Sequence, residues 1–282
     1  MKNLSKLAAL MMLVFGMISC SNSVGNPAVT YIGTKAPTEA KAVGDIVFND
    51  GSAMAYTAFA ALDDTAKNAK KAAAIALIFY KGTGLNSDVN GVANTTTSRT
   101  LGVGLKHSSR GLAWCRSTTN AYDNNITTIQ CSASGSAGAL TFTGDRNGSD
   151  NLVQIGMFLT SNSSNDDTST AANYPAFYYA KNYSSTASNL GEIYKDGWYL
   201  PSTAELFQIY ACRADTSNGF DIDAASEALG GDKFGEGWYW SSSQCEDSPD
   251  NRAYMLDFVD GNRVLQAKSY TVTRVCCIRA FN

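Results

Sequence analysis

Apolar and polar positions along this chain follow two periods, and the switches between them mark its elements. Residues 74–80 are continuously apolar and predict a strand buried on both faces. Upstream, Asp45-Ile46-Val47-Phe48, the turn formers Asn49-Asp50-Gly51-Ser52 and residues 53–59 predict strand, tight turn and strand. A short helix is expected from Asp63-Asp64 to about Ala73. Asp63 or Asp64 is its N-cap, and Lys67, Lys70 and Lys71 come late, an order that complements the helix dipole. Residues 101–106 and 111–116 predict further strands around a turn at 107–110. Residues 117–189 are rich in Ser, Thr, Asn and Gly and read as long surface loops, broken by short elements at 152–159 and 174–183. Tyr174, Phe177, Tyr178, Tyr179 and Tyr183 form an aromatic patch that reads as packing, with a ligand-facing role as the alternative.

The C-terminal third is patterned more sharply. Ser202-Thr203-Ala204-Glu205 is a capping box, followed by a helix to about Arg213 with Leu206, Ile209 and Tyr210 on one face. A second helix spans about 223–229, and Gly230 can end it. Strands are expected at 238–242, 254–259, 263–268 and 275–280, with Asp260-Gly261 or Gly261-Asn262 as a hairpin turn.

The N-terminus supplies the address. Lys2 and Lys6 precede an apolar stretch, residues 7–18, too short for a stable membrane span and suited to a signal peptide. It ends Met17-Ile18-Ser19-Cys20, similar to the bacterial lipobox. That resemblance implies lipidation of Cys20, which becomes the first residue of the mature chain, although Met17 stands where Leu is commoner. Ordinary secretion is the alternative. Residues 20–42, with Pro27 and Pro37, read as a tether, and order is expected to start near Val43. The expected location is the bacterial cell envelope, lipid-anchored at the outer membrane surface.

Composition narrows the chemistry. The 282 residues are 44% hydrophobic and 17% charged, enough for a real core. A net charge of −3 offers no basic patch for nucleic acid, and one His argues against His-based catalysis and multi-His metal sites. No catalytic residue, metal or cofactor is expected. His107, beside Ser108 and Ser109, reads as a polar loop residue. Asn86-Ser87-Asp88-Val89-Asn90-Gly91 imitates the start of a calcium loop, but Thr97 stands where the closing Glu is required, so a turn is expected. Asn165, Asp166 and Asp167 match no motif.

Seven cysteines occur. Beyond Cys20, an oxidising compartment makes the others candidate disulfide partners. Cys115 and Cys131 flank a turn-rich stretch they could staple. Cys212 could reach Cys276 or Cys277, which point to opposite faces of the last strand, so one of the two at most is expected to be buried beside it. Nothing requires that all be paired, and the spacing is wrong for zinc.

Four segments together resemble a known pattern: Gly197-Trp198-Tyr199-Leu200-Pro201-Ser202-Thr203-Ala204-Glu205-Leu206, Gly237-Trp238-Tyr239-Trp240-Ser241-Ser242-Ser243, Asp257-Phe258 with Gly261, and Val275-Cys276-Cys277-Ile278-Arg279-Ala280. They look like the C-terminal C-type-lectin-like domain of Legionella collagen-like adhesins. They are more similar still to variable lipoproteins of treponemal diversity-generating retroelements. The resemblance is good over about 190–282. It is looser over 43–116, where Gly44-Asp45-Ile46-Val47-Phe48 and Leu101-Gly102-Val103-Gly104-Leu105 carry it.

The resemblance implies an α+β C-type-lectin-like (formylglycine-generating-enzyme-like) fold for residues 43–282, with a ligand-binding face rewritten between fixed framework segments at about 245–272. The implied contacts are Trp238 and Trp240 as aromatic anchors, with Cys245, Asp247, Asp250, Asn251, Arg252, Tyr254, Asp257, Asp260, Asn262, Arg263, Leu265, Lys268 and Tyr270 around them. The partner is a protein or glycan at the cell surface, bound non-covalently. The alternatives are a fixed adhesin, a structural envelope lipoprotein, and an oxidase like the formylglycine-generating enzymes using Cys276 and Cys277.

Overall fold

The computed structural model describes residues 30–88, 90–162, 171–217, 219–244, 246 and 250–282. The signal peptide, Cys20, the start of the tether, Asn165, Asp166, Asp167, Cys245 and Asp247 lie outside the described residues. The folded body begins at Tyr31. Lys35 forms an antiparallel bridge with Ala53, and the Ile32 N–H donates to the Asp50 carboxylate at 2.9 Å. Residues 31–42 therefore join the fold, about a dozen residues earlier than the apolar pattern suggested.

The first half supplies four strands of a five-stranded antiparallel sheet, and the C-terminal segment supplies the fifth, at its edge. Strands β1 (Asp45–Phe48) and β2 (Ala53–Ala55) make the expected hairpin, but β2 stops after three residues and helix α1 (Tyr56–Ala60) follows. The helical turn delivers Phe59 into the core, where it is 1% exposed; a continued strand would alternate it outward. Helix α2 (Asp64–Lys71) is capped by Asp63, whose side chain accepts from the Ala66 N–H. Strand β3 (Ala74–Gly82) is the continuous apolar run, and β4 (Arg99–Gly104) pairs beside it.

Both faces of β3 are covered, which is why its pattern does not alternate. Leu77 and Phe79 pack in one apolar cluster with Leu206, Ile209 and Ile222. Ile75, Ala76 and Ile78 pack in the other, with Trp114, Phe177 and Tyr183. Each fully buried aliphatic side chain contributes about 1.5–3 kcal/mol.

The polar middle holds more structure than its composition suggested. Strands β5 (Cys131–Ser136) and β6 (Ala139–Gly144) form a hairpin, and helices α3 (Asn151–Ser161) and α4 (Pro175–Lys181) coincide with the two predicted interruptions. Residues 111–116 are not a strand. Their backbone bonds run to four separate partners, Leu112 to Thr273, Ala113 to Ala176, Cys115 to Lys268 and Arg116 to Asn173, so no single ladder forms. The aromatic patch is mainly packing: Tyr174, Phe177 and Tyr183 are buried, while Tyr178 is exposed.

Helices α5 (Thr203–Ala214) and α6 (Ile222–Ala228) lie where the capping box and Gly230 place them. A three-stranded antiparallel sheet, β7 (Trp238–Trp240), β8 (Arg252–Asp257) and β9 (Asn262–Ala267), follows. β10 (Ile278–Ala280) then returns to close the first sheet. The whole is a mixed helix-and-sheet architecture of small antiparallel sheets.

Glu205 does more than close the capping box. One carboxylate oxygen accepts from the Ser202 and Gly148 N–H groups at 2.8 and 3.1 Å; the other accepts from Arg99 at 2.9 Å and the Tyr199 hydroxyl at 3.0 Å. Nearby, Asp145 is 1% exposed, accepts from the Asn147 N–H at 2.9 Å, and has one oxygen without a partner. Burial, reinforced by the charges of Asp150 and Glu205, pushes its carboxyl up to about 8. Between its unfolded value near 4 and about 8, the folded chain holds a proton that the unfolded chain has lost. Stability therefore falls as pH rises across that window and stays reduced above it. Asp145→Asn is expected to stabilise the fold by about 1–2 kcal/mol at pH 9 and to change little at pH 4. Urea unfolding at both pH values checks this, and an equal effect at both would refute it.

The structure forms none of the possible disulfides among the described residues. Cys131, Cys212, Cys276 and Cys277 are thiols. Cys131 packs in the first apolar cluster and Cys115 in the second. Cys276 and Cys277 are both fully buried and point to opposite sides, one into each cluster, so only Cys276 shares a cluster with Cys212, as expected. Cys212 packs against the cluster of Cys276, and its thiol donates to the Phe79 carbonyl at 3.2 Å.

Candidate ligand-binding face

The candidate face is built on β7, β8 and β9, and strand pleat decides which of its residues share a side. Trp238 stands opposite Asp257, and Asp257 opposite Asn262. These three make one row across the sheet at the hairpin end. Trp238 is 38% exposed, and Asp257 and Asn262 are half-buried. The row is held in place by the turn that follows β8. The Val259 N–H donates to the Asp257 carboxylate at 2.8 Å, and the Asn262 N–H to the Asp260 carboxylate at 2.9 Å. Gly261 adopts φ +71°, and a Cβ there would lie 2.3 Å from the Tyr210 ring, so glycine is required.

Arg252, Tyr254, Arg263 and Leu265 alternate to the other side of the same sheet, with Leu256. That side faces the β5–β6 hairpin: Arg263 donates to the Gly135 carbonyl at 3.3 Å. Arg252 is exposed and reaches the Leu265 carbonyl at 3.4 Å. Asp250 and Asp260 are exposed, and Asn251, Arg263, Leu265 and Tyr270 half-buried. The segment therefore does not present one continuous patch.

Three expected contacts are interior residues. Trp240 is fully buried, its indole N–H donating to the Leu112 carbonyl at 2.7 Å. Tyr254 is 3% exposed. Lys268 is fully buried, its ammonium over the Trp114 ring and donating to the carbonyls of Ala121, Tyr122 and Asn124. Burial pushes that amine down to about 8. Sequence texture could not separate these residues from surface ones, because a buried lysine satisfied by carbonyls and a solvated lysine look alike in a polar segment.

His107 is more than a loop residue. It is 3% exposed, its Nδ1 lies 2.8 Å from the Tyr239 hydroxyl, and its ring packs against Phe234. Burial, helped by the positive charge of Arg274, holds it down at about 3, so it is neutral at physiological pH. The Ser108 hydroxyl is engaged with the Val275 N–H at 2.9 Å, so the pair forms a packing junction beneath β7. The calcium-like loop is a turn: the Asp88 carboxylate accepts from the N–H groups of Asn90 and Val92, both at 2.9 Å. Among the described residues no cluster of His, Cys, Asp or Glu has the makings of a metal site, and no helix is long and apolar enough to cross a membrane.

With its mixed helices and small antiparallel sheets, the chain falls in the broad α+β class. No protein-family model matches the sequence, and no curated protein does. Among solved structures it is similar to a fimbrial protein from Bacteroides ovatus, at 16% sequence identity and a TM-score of 0.52 over 85% of this chain. The chain spans about half, 49%, of that protein's length. At that identity the likeness is one of fold.

Proposed function

We propose that this protein is a lipid-anchored surface protein whose C-terminal, C-type-lectin-like portion binds a protein or glycan non-covalently through the exposed end of the β7–β9 sheet. The observation that carries the reading is the row Trp238, Asp257 and Asn262. An aromatic side chain is held half-exposed beside polar groups, over a sheet whose neighbouring residues Tyr239, Trp240, Met255 and Leu256 are wholly buried. A rigid aromatic with polar neighbours is the economical way to build affinity and specificity on a small surface. The similarity to a fimbrial protein supports a surface, adhesin-like role at a coarse level.

The oxidase alternative finds little support. Cys276 and Cys277 lie on opposite sides of the chain, fully buried, and burial pushes both thiols well above their ordinary value.

The test is binding of the purified chain to a glycan array and to epithelial cells. Saturable binding is expected, falling at least tenfold in Trp238→Ala and in Asp257→Ala while circular dichroism stays unchanged. Binding that both substitutions leave intact would overturn the reading. Deep sequencing of the gene's 3′ end in a grown population tests diversification: substitutions concentrated at codons 245–272 are expected.

A further inference from the structure

Helix α3 is unusual for a surface element. None of its eleven residues is charged. Ile155 and Leu159 are buried in the second apolar cluster, as a core-facing stripe should be. Val153 and Met157, one turn apart, are 60% and 61% exposed. They form the lip of a groove of about 820 Å³, whose walls are α3, α4 with Phe177 and Lys181, and the extended segment 197–200. A second cavity, lined by Arg99 and Arg279, adjoins it and shares Ser149, Gly197, Trp198 and Tyr199.

Charge and hydrogen bonding narrow the occupant. Among the described residues no carboxylate lines either cavity. Among the described residues Lys181 is in no ion pair, and the Arg279 guanidinium donates to the carbonyls of Ile193 and Asp196 and lies over the Tyr194 ring. Arg99 is matched by Glu205 beneath it. Two cations, one lining each cavity, thus stand without a bonded counter-charge among the described residues. Tyr199 exchanges both backbone bonds with Ile278, at 3.0 Å each. In an extended segment the next residue presents its backbone groups to the opposite edge. The Trp198 N–H and C=O have no protein partner among the described residues, and Trp198, 4% exposed, lines both cavities.

We propose that this groove binds an extended peptide segment of another protein that carries aliphatic side chains and a carboxylate. The aliphatic groups lie against Val153 and Met157, the carboxylate meets Lys181 or Arg279, and the peptide backbone pairs with Trp198. An acyl-chain anion would match the apolar floor and the cations, but its hydrocarbon body has nothing to offer the Trp198 N–H and C=O. This site is separate from the Trp238 row, and neither depends on the other.

The test is selection of random nine-residue peptides, displayed on phage, against the full chain in detergent, followed by titration of the most enriched synthetic peptide. Enrichment in Asp or Glu together with Val, Leu or Ile is expected. The peptide should bind Val153→Glu and Met157→Glu at least tenfold more weakly and Lys181→Glu at least fivefold more weakly, and bind Trp238→Ala as it binds the parent. All three groove positions are exposed, so their replacement leaves the fold intact. No enrichment, enrichment without acidic residues, or affinity unchanged by the groove substitutions would each overturn the proposal. So would fluorescent palmitate binding that depends on these residues when no peptide does.

Discussion

Trp240→Ala is expected to destabilise the protein by about 3–5 kcal/mol, whereas Trp238→Ala, two residues away, should cost less than about 1 kcal/mol. The indole of Trp240 is fully buried in the second apolar cluster and satisfies the Leu112 carbonyl. Its removal opens a cavity and strands a buried acceptor at once. Trp238 projects from the same strand with 38% exposure, so its loss vacates little packed volume. Urea unfolding of the two variants checks the contrast. Comparable stability losses would mean that Trp238 belongs to the framework too. The outcome also decides how binding data are read, since a Trp240 variant that loses ligand has first lost its fold.

Glu205→Ala is expected to cost a similar 3–5 kcal/mol, for an electrostatic reason. Arg99 is 7% exposed, and Glu205 supplies its only carboxylate among the described residues. Truncating Glu205 leaves a guanidinium buried without a counter-charge. It also takes the acceptor from the N–H groups of Ser202 and Gly148, the first being half of the α5 cap. Glu205→Gln keeps the shape and part of the capping and should fall between the two. Pairing Glu205→Ala with Arg99→Met should recover part of the loss, because no charge is then left buried. A single-variant cost below about 1 kcal/mol, or no recovery in the pair, would show that the ion pair is not the centre of this junction.

The sequence was most legible where one interaction dominates locally. Ser202 and Glu205 announced α5, Asp63 announced α2, and the apolar run of β3 announced a strand covered on both faces. Legibility failed where distant partners decide. The β5–β6 hairpin, Cys-Ser-Ala-Ser-Gly-Ser against Ala-Leu-Thr-Phe-Thr-Gly, has few strand-forming residues of its own and is stabilised by where it lies. Residues 111–116 look like a strand but bond to separate segments. In the candidate face, chemical mixture was readable while depth was not. Trp238 and Trp240 share a strand and a side by pleat, yet only the latter lies buried in the second apolar cluster, bonded to the Leu112 carbonyl.

The two-residue parity of β9 sets a rule for how this surface can change. Asn262, Val264 and Gln266 fall on the side of Trp238; Arg263 and Leu265 fall on the side of the β5–β6 hairpin. One residue inserted into or deleted from the turn at 258–261 would exchange those two sets, carrying Val264 out of the apolar cluster it packs against and forcing Arg263 towards it. A substituted version of this segment that keeps the fold is therefore expected to keep its length.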